Sequence, residues 1–470
     1  MYYKYFFIYK IYHKVKFTYK PYTLILLKME IEIFPIGGYS HIGKNMTAIR
    51  INDKIIIIDI GINVDKISQF GEREDITNKP LKELYDLDII PDDSILEKYK
   101  DKVKAIILTH GHLDHIGAVN FIAPKYNAPI YASPYTIELI KQQEKEYGIV
   151  LPNDLKKISP NSSIKISEDI SINFINITHS IPQSLMIDIQ TNKGHIIFSG
   201  DFKFDNFPII GKKPDKEKLK KIGKEGVLLL ICETTRADEN SKSQSEIIEK
   251  YMLYDVLHSI DTKGIIITTF SSHIARLKLI VELSKEINRK PIFLGRSLGK
   301  YISATENINL YNFSQEAEVY FDARDYKKVL EKVEKNKEEY LLIVTGHQGE
   351  PSSVLDRIAR GEYNFDLSNT TVIFANNVIP HPINEANRKI LEERLKRRKA
   401  EIIKDVHVSG HAKSQDHIML LKMLNPEYII PNHGDINKKA SYYNIVSDYG
   451  YTLGEDVFFL EDYQRKIFNI

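Results

Sequence analysis

Between Val103 and Gly117 the chain passes from an apolar, β-branched run into a helical pattern. The turn between them reads Leu108-Thr109-His110-Gly111-His112-Leu113-Asp114-His115-Ile116-Gly117. A strand ending at Leu108 and a helix opening after it leave His110, His112, Asp114 and His115 projecting from one place. Three imidazoles and a carboxylate are the N and O donors that zinc takes. His110 and His112 are two apart and point the same way in extended chain, which suits one metal. Asp114 and His115 follow the turn and suit a second. With 15 histidines in 470 residues, composition alone does not produce such a cluster.

The length implies two domains, since one ordinary core does not grow to 470 residues. A single cysteine, Cys232, rules out an internal disulfide and Cys-rich zinc modules, and implies a reducing, cytoplasmic setting. No run of 18 uncharged apolar residues exists, so no membrane span is expected. Residues 1–28 differ from the rest, holding seven tyrosines, six lysines and no acidic residue. Lysines interrupt every apolar core a secretory signal would need. Met29 is followed at once by the alternating Glu30-Ile31-Glu32-Ile33-Phe34, a strand opening. Met29 is therefore expected to be the true start, with 1–28 a non-native or disordered extension; a basic RNA-binding arm is the other reading. Without those six lysines the formal charge falls from +2 to −4, so any nucleic-acid contact must come from a local groove.

Strands are expected at 31–36, 46–51 and 54–58, the last ending at Asp59, whose carboxylate is placed to orient ligand loops from behind. Gly38 to Lys44 has P-loop spacing, but Asn45 replaces the Ser/Thr that holds magnesium and a strand follows, so no nucleotide site is expected. His179 follows strand 170–177 and Asp201 follows strand 195–199, each a ligand-type residue just past a strand end. Val227 to Cys232 is a buried strand ending at Glu233. The lysine-rich run 212–224 reads as a solvated helix, an RNA track being the other reading. From 241 to 404 a βα alternation, with strands at 264–269, 291–294, 340–344 and 371–375 and helices such as 243–259 and 274–287, implies a parallel sheet of its own. Its loops Thr268–His273, containing Ser271 and Ser272, and Thr345–Ser353 offer backbone amides to an anion; capped helix starts are the plainer reading. Arg388 to Lys404 reads as a basic amphipathic helix with a solvated face. The chain then returns to chemistry in Val406-His407-Val408-Ser409-Gly410-His411-Ala412 and Ile430-Pro431-Asn432-His433-Gly434-Asp435.

Taken together, Asp59, His110-x-His112-x-Asp114-His115, His179 and Asp201 resemble the metallo-β-lactamase superfamily, in order and in context. The resemblance implies one zinc on His110, His112 and His179, a second on Asp114 and His115, and Asp201 bridging them. Glu233, His411 and His433 look like the further motifs of the β-CASP nucleases, with His433 completing the second site and favouring RNA over DNA. The loop 345–351 and the motifs around His411 and His433 are similar to ribonuclease J, closest to its archaeal branch. Two positions depart from it: His347, where the bacterial loop has serine, and Asn432, where an apolar residue is usual.

The fold so implied is α/β, a four-layer αββα metallo-β-lactamase fold with an inserted β-CASP domain: 29–240 and 405–470 for the first, 241–404 for the insertion. The implied activity is zinc-dependent hydrolysis of RNA, 5′ to 3′ from 5′-monophosphate ends, with manganese as an alternative metal. In that reading Asp114, Glu233 and His411 are catalytic, His411 protonating the departing oxygen and Glu233 orienting it. His407, Ser409, Gly410 and His411, then Ser271 and Ser272, bind substrate. The implied partners are RNA and a second copy in a homodimer, with no membrane. The rivals are an endonuclease of the RNA 3′-end processing type, a silent RNA-binding scaffold, and a small-molecule hydrolase.

Overall fold

Alternation of apolar side chains along the first strands assigns each to one of two layers, and the structure follows that assignment. The computed structural model describes residues 29–70 and 74–470; the reading of residues 1–28 lies outside it. Strands β1 (Glu30–Gly37), β2 (Met46–Ile51), β3 (Lys54–Ile58), β4 (Val103–Ile107), β5 (Ile130–Ala132) and β6 (Leu155–Lys157) form the first sheet. Its last member, β19 (Lys466–Asn469), pairs with the outer edge of β1. On β3, Ile55 and Ile57 pack under helices while Ile56 and Ile58 face the second sheet. Ile106 and the pair Ala105 and Ile107 divide β4 in the same way.

The second sheet holds β7 (Ser163–Lys165), β8 (Ile170–Asn176), β9 (Leu185–Thr191), β10 (Gly194–Phe198), β11 (Val227–Glu233) and, from far along the chain, β18 (Tyr428–Asn432). Phe174, Ile187, Ile196, Ile231 and Ile430 interleave with the first sheet. Ile175, Ile197, Leu230 and Cys232 point the other way, beneath helices Lys216–Glu225, Ser414–Leu424 and Ile436–Ser447. Helix Pro134–Tyr147 covers the first sheet; Ser133 caps it, Pro134 opens it and Gly148 closes it in the left-handed conformation. The result is the four-layer αββα arrangement.

Between β11 and β18 the chain builds a third, all-parallel sheet: β12 (Gly264–Thr268), β13 (Lys290–Leu294), β14 (Glu318–Tyr320), β15 (Tyr340–Val344), β16 (Thr370–Phe374) and β17 (Glu401–Ile403). Its order is β14-β13-β15-β12-β16-β17, so the three central strands deliver loops 269–273, 345–353 and 375–381 to one edge. The expected helix 388–404 is different in the structure. It starts at Pro382, capped by His381, ends at Arg397, and leaves Glu401–Ile403 as edge strand β17. Nor is its basic face all solvated: Arg388 is 4% exposed, stacked on Phe374 and donating to the His347 carbonyl. No helix of the described residues is long and apolar enough to cross a membrane.

At the far end of the second sheet His195 Nδ1 meets Asp188 Oδ1 at 2.8 Å, with side-chain exposures of 4% and 0%. Burial lowers the His195 pKa, but the Asp188 hydrogen bond and charge, aided by Glu225, outweigh it and hold it above the usual 6.5. Protonated His195 therefore adds stability that is full below pH 6.5 and is lost as pH rises through the raised value. In urea unfolding across pH, His195→Gln should flatten that decline; an unchanged slope would show that the pair does not contribute.

Candidate metal centre

Asp59 organises the turn at the end of β4. Buried, with a φ of +60°, it accepts from Thr109 N at 2.8 Å, from Thr109 Oγ1 at 2.8 Å and from His115 Nδ1 at 2.8 Å. His110 and His115 are thus set on the inner side of the turn, and His112 starts the short helix Leu113–Ile116. Behind them Asn45 N donates to the Asp114 carbonyl at 2.9 Å, and Gly61 is so close to the same carbonyl that a Cβ would lie 1.6 Å from it.

Side chains from four separate strand ends converge here. Asp201 Oδ2 lies 3.6 Å from His110 Nε2, 3.3 Å from His115 Nε2, 3.6 Å from His179 Nε2 and 3.6 Å from His433 Nε2. His112 Nδ1 sits 3.1 Å from both His110 Nε2 and His179 Nε2. Asp114 Oδ2 is 3.6 Å from His115 Nε2 and 3.7 Å from His433 Nε2. Two donor sets result, His110-His112-His179-Asp201 and Asp114-His115-His433, each with its ligand atoms within 4.8 Å of one another, and Asp201 stands between them.

The chemistry of these donors fits divalent metal. The outward nitrogen of four imidazoles is tied to oxygen: His110 to Thr109, His115 to Asp59, His179 to the Gly410 carbonyl at 2.8 Å, and His433 to Asn45 Oδ1 at 2.7 Å. Each Nε2 lone pair is thereby turned inward, as metal-binding histidines require. The buried Asp201 Oδ1 has no hydrogen-bond partner, an atom that a cation would satisfy. Burial, reinforced by neighbouring imidazoles, holds His110 and His179 well below the usual pKa, and burial takes His112 down to about 4, so these three are neutral ligands near pH 7. Burial also opposes charge on His115 and Asp201, but Asp201, Asp114 and Asp59 raise His115, while His433 and His115 lower Asp201.

Beside this cluster His411 Nδ1 meets Glu233 Oε2 at 3.0 Å and lies 3.9 Å from Asp201 Oδ2. Burial pulls His411 down, and the two carboxylates more than reverse it; His411 in turn holds Glu233 below its ordinary value against burial. The strap 407–411 is pinned along its length. Ser409 Oγ accepts from His411 N at 3.2 Å, and its carbonyl accepts from the buried Lys203 at 3.0 Å. At Gly410 a Cβ would lie 2.7 Å from Ser180 Cβ. His407 Nδ1 accepts from Arg276 NH1 at 2.8 Å, and burial with the guanidinium pushes its pKa down to about 2. Ser271 is buried with its hydroxyl on Ser297, 2.9 Å away, reached from His407 through the Phe270 ring. Ser272 makes no side-chain bond to His407 or Ser409 among the described residues.

Sequence reasoning did not pick out Asn45, Thr109, Lys203, Glu246 or Arg276. Arg276 is fully buried, bonding the carbonyls of Ala375 and Val408 and lying 3.4 Å from Glu246, which also pairs with Lys203 at 3.0 Å. The failed P-loop spacing marked Asn45, but its partner His433 is 388 residues away and no local signal could link them.

Three family profiles match in succession: the metallo-β-lactamase superfamily over 42–225, the ribonuclease J β-CASP domain over 262–392, and the Zn-dependent metallo-hydrolase RNA specificity domain over 396–452. Ribonuclease J of Methanocaldococcus jannaschii is 44% identical over 93% of this chain and 98% of its own. That of Pyrococcus abyssi is 42% identical over 91% and 95%, and ribonuclease J 1 of Streptococcus pyogenes 31% over 92% and 73%. A crystal structure from Enterococcus faecalis, of a protein of unknown function, shares the fold with a TM-score of 0.64 at 15% identity, covering 94% of this chain and 100% of that one.

Asn45→Ala removes the acceptor that aims His433. Its metal affinity, measured by chelator competition, should fall about 10- to 100-fold with the fold intact by circular dichroism; unchanged affinity would show that Asn45 has no such role.

Proposed function

Because this chain belongs to the ribonuclease J family, we propose that it is a metal-dependent ribonuclease, a 5′-3′ exonuclease that prefers 5′-monophosphate ends. The observation that carries the reading is Asp201 Oδ2 standing within 3.6 Å of four imidazole nitrogens from three distant parts of the chain. His110, His112 and His179 would hold one ion, Asp114, His115 and His433 the other, with Asp201 shared; zinc is the expected metal and manganese the alternative. Bound there, two ions supply Lewis-acid activation of water near neutral pH and offset the charge of a phosphodiester.

The chain's own groups do the rest. Glu233 accepts from His411 Nδ1, which leaves Nε2–H as the proton donor to the departing 3′ oxygen. Burial opposes the charge on His411, but Glu233 and Asp201 outweigh it and raise its pKa above the usual value, which favours that protonated form. Asp114, with one oxygen for the ion, has a second to steer the attacking water. The end-recognition reading rests on His407: its Nδ1 is occupied by Arg276, so neutral His407 offers Nε2–H to a 5′-phosphate, beside Ser409 and Gly410. Ser271 is the outer candidate, and Ser272 the weakest by position. We read the division of the chain as 29–240 with 405–470 and an insertion of 241–404. We place the enzyme in the cytoplasm, acting on RNA as a homodimer.

His411→Ala should lower kcat by about 10²- to 10⁴-fold with KM little changed, the range for loss of a general acid; wild-type turnover would remove His411 from the reaction. For direction, 5′-monophosphorylated RNA should disappear faster than 5′-hydroxyl RNA and yield mononucleotides from the first time point. Equal rates with internal fragments would make the enzyme an endonuclease instead.

A further inference from the structure

The lysine-rich run after Lys212 borders a groove. Helix Lys216–Glu225 lies close along helix Ser414–Leu424, and Gly223 permits the approach, since a Cβ there would be 1.9 Å from the Met423 carbonyl. Between the helices is a groove of about 820 Å³ rimmed by Lys216, Lys220, Lys224 and Lys422, with Ile418, Met419 and Met423 on its apolar side and no acidic residue lining it. Lys220 is paired with Glu217 at 2.7 Å; Lys224 has no ion-pair partner among the described residues. Lys216, Lys220 and Lys224 recur every fourth residue, which sets their backbones about 6 Å apart along one helix face.

At the head of the groove stands an exposed aromatic ring. Lys216 Nζ donates to Asn206 Oδ1 at 2.9 Å, and the next residue, Phe207, is 63% exposed with Lys213 Nζ 5.2 Å from its ring centre. A slack loop does not explain this exposure. Phe207 N donates to Asp205 Oδ1 at 2.8 Å, its carbonyl accepts from Ser245 Oγ at 3.2 Å, and Asn176 Nδ2 holds the Lys213 carbonyl at 2.8 Å. Phe207 lies six residues after Asp201 in the chain, and the second helix begins three residues after His411.

Resting on the ribonuclease reading, we propose that this groove is an accessory binding surface for single-stranded RNA flanking the scissile bond. The lysines follow the phosphates, and Phe207 and the methionines receive bases, the combination of cationic track and stacking surface that single strands require. An acidic peptide would use the lysines but not the exposed ring. Against a body of net charge −4, four lysines at one groove are a local feature and not a general excess.

The test is fluorescence anisotropy with a labelled single-stranded RNA of about 30 nucleotides, cleavage being scored separately. The full chain carrying Lys216→Gln, Lys220→Gln, Lys224→Gln and Lys422→Gln should bind at least tenfold more weakly, with the slope of log K against log salt reduced by about 3. Its turnover of a tetranucleotide should match wild type. Phe207→Ala should weaken the long RNA about tenfold. A control with Lys98, Lys327, Lys328 and Lys335 each changed to Gln loses the same charge on other faces and should bind normally. An equal loss in the control, or none in the groove variant, overturns the proposal, and the latter result would leave the lysines to an acidic partner or to solvent. A wild-type chain that binds RNA through the groove without cleaving it would instead overturn the ribonuclease reading and leave the groove standing.

Discussion

One carboxylate oxygen, Asp201 Oδ2, is the point on which the molecule converges. Five imidazoles and two carboxylates crowd a nearly dry space, and each alone would be a costly group to bury. They are tolerable together because opposite charges offset one another and because the outer nitrogens are bonded to Thr109, Asp59, Gly410 and Asn45. A cation would complete the arrangement, since Asp201 Oδ1 has no hydrogen-bond partner and the Nε2 lone pairs face inward.

The fold exists around that point as a set of strand ends. Asp59 ends β3, the His110 turn ends β4, Asp201 ends β10, Glu233 ends β11 and His433 ends β18, so two stacked sheets bring their C-terminal edges to one cleft. The third sheet adds the loops after β12, β15 and β16 from above. Lys203, Glu246 and Arg276 tie it down, joining the end of β10 to helix 246–259, to helix 274–286 and to the strap 407–411. Buried ion pairs of this kind add little net stability, because desolvation offsets the attraction. Their effect is geometric: Lys203 and Arg276 bond the strap that carries His407 and His411 and hold it beside the His/Asp cluster.

Much of this was legible in the sequence, for a physical reason. Donor side chains on one turn must be close in the chain, so His110 to His115 stand out, and strand-end residues such as Asp201 and Glu233 are visible from the apolar runs before them. Beyond Asp59 and Glu233, the supporting groups were not. Asn45 touches His433, and Lys203 touches Ser409, across long separations that leave no periodic trace. Along Arg388 to Lys404 charge is no guide to exposure: the Arg388 guanidinium sits over the Phe374 ring, with Nε donating to Glu392 and NH1 to the His347 carbonyl. Short edge strands such as β14 and β17 are three residues long, too brief for alternation to register.

The central claim is that distant segments share one pair of ions. Anomalous diffraction at the zinc absorption edge, on crystals of the zinc-loaded protein, tests it directly. Two peaks flanking Asp201 Oδ2 are expected, one against His110, His112 and His179 and the other against Asp114, His115 and His433. A single peak, or one that leaves His433 without a metal contact, would contradict it.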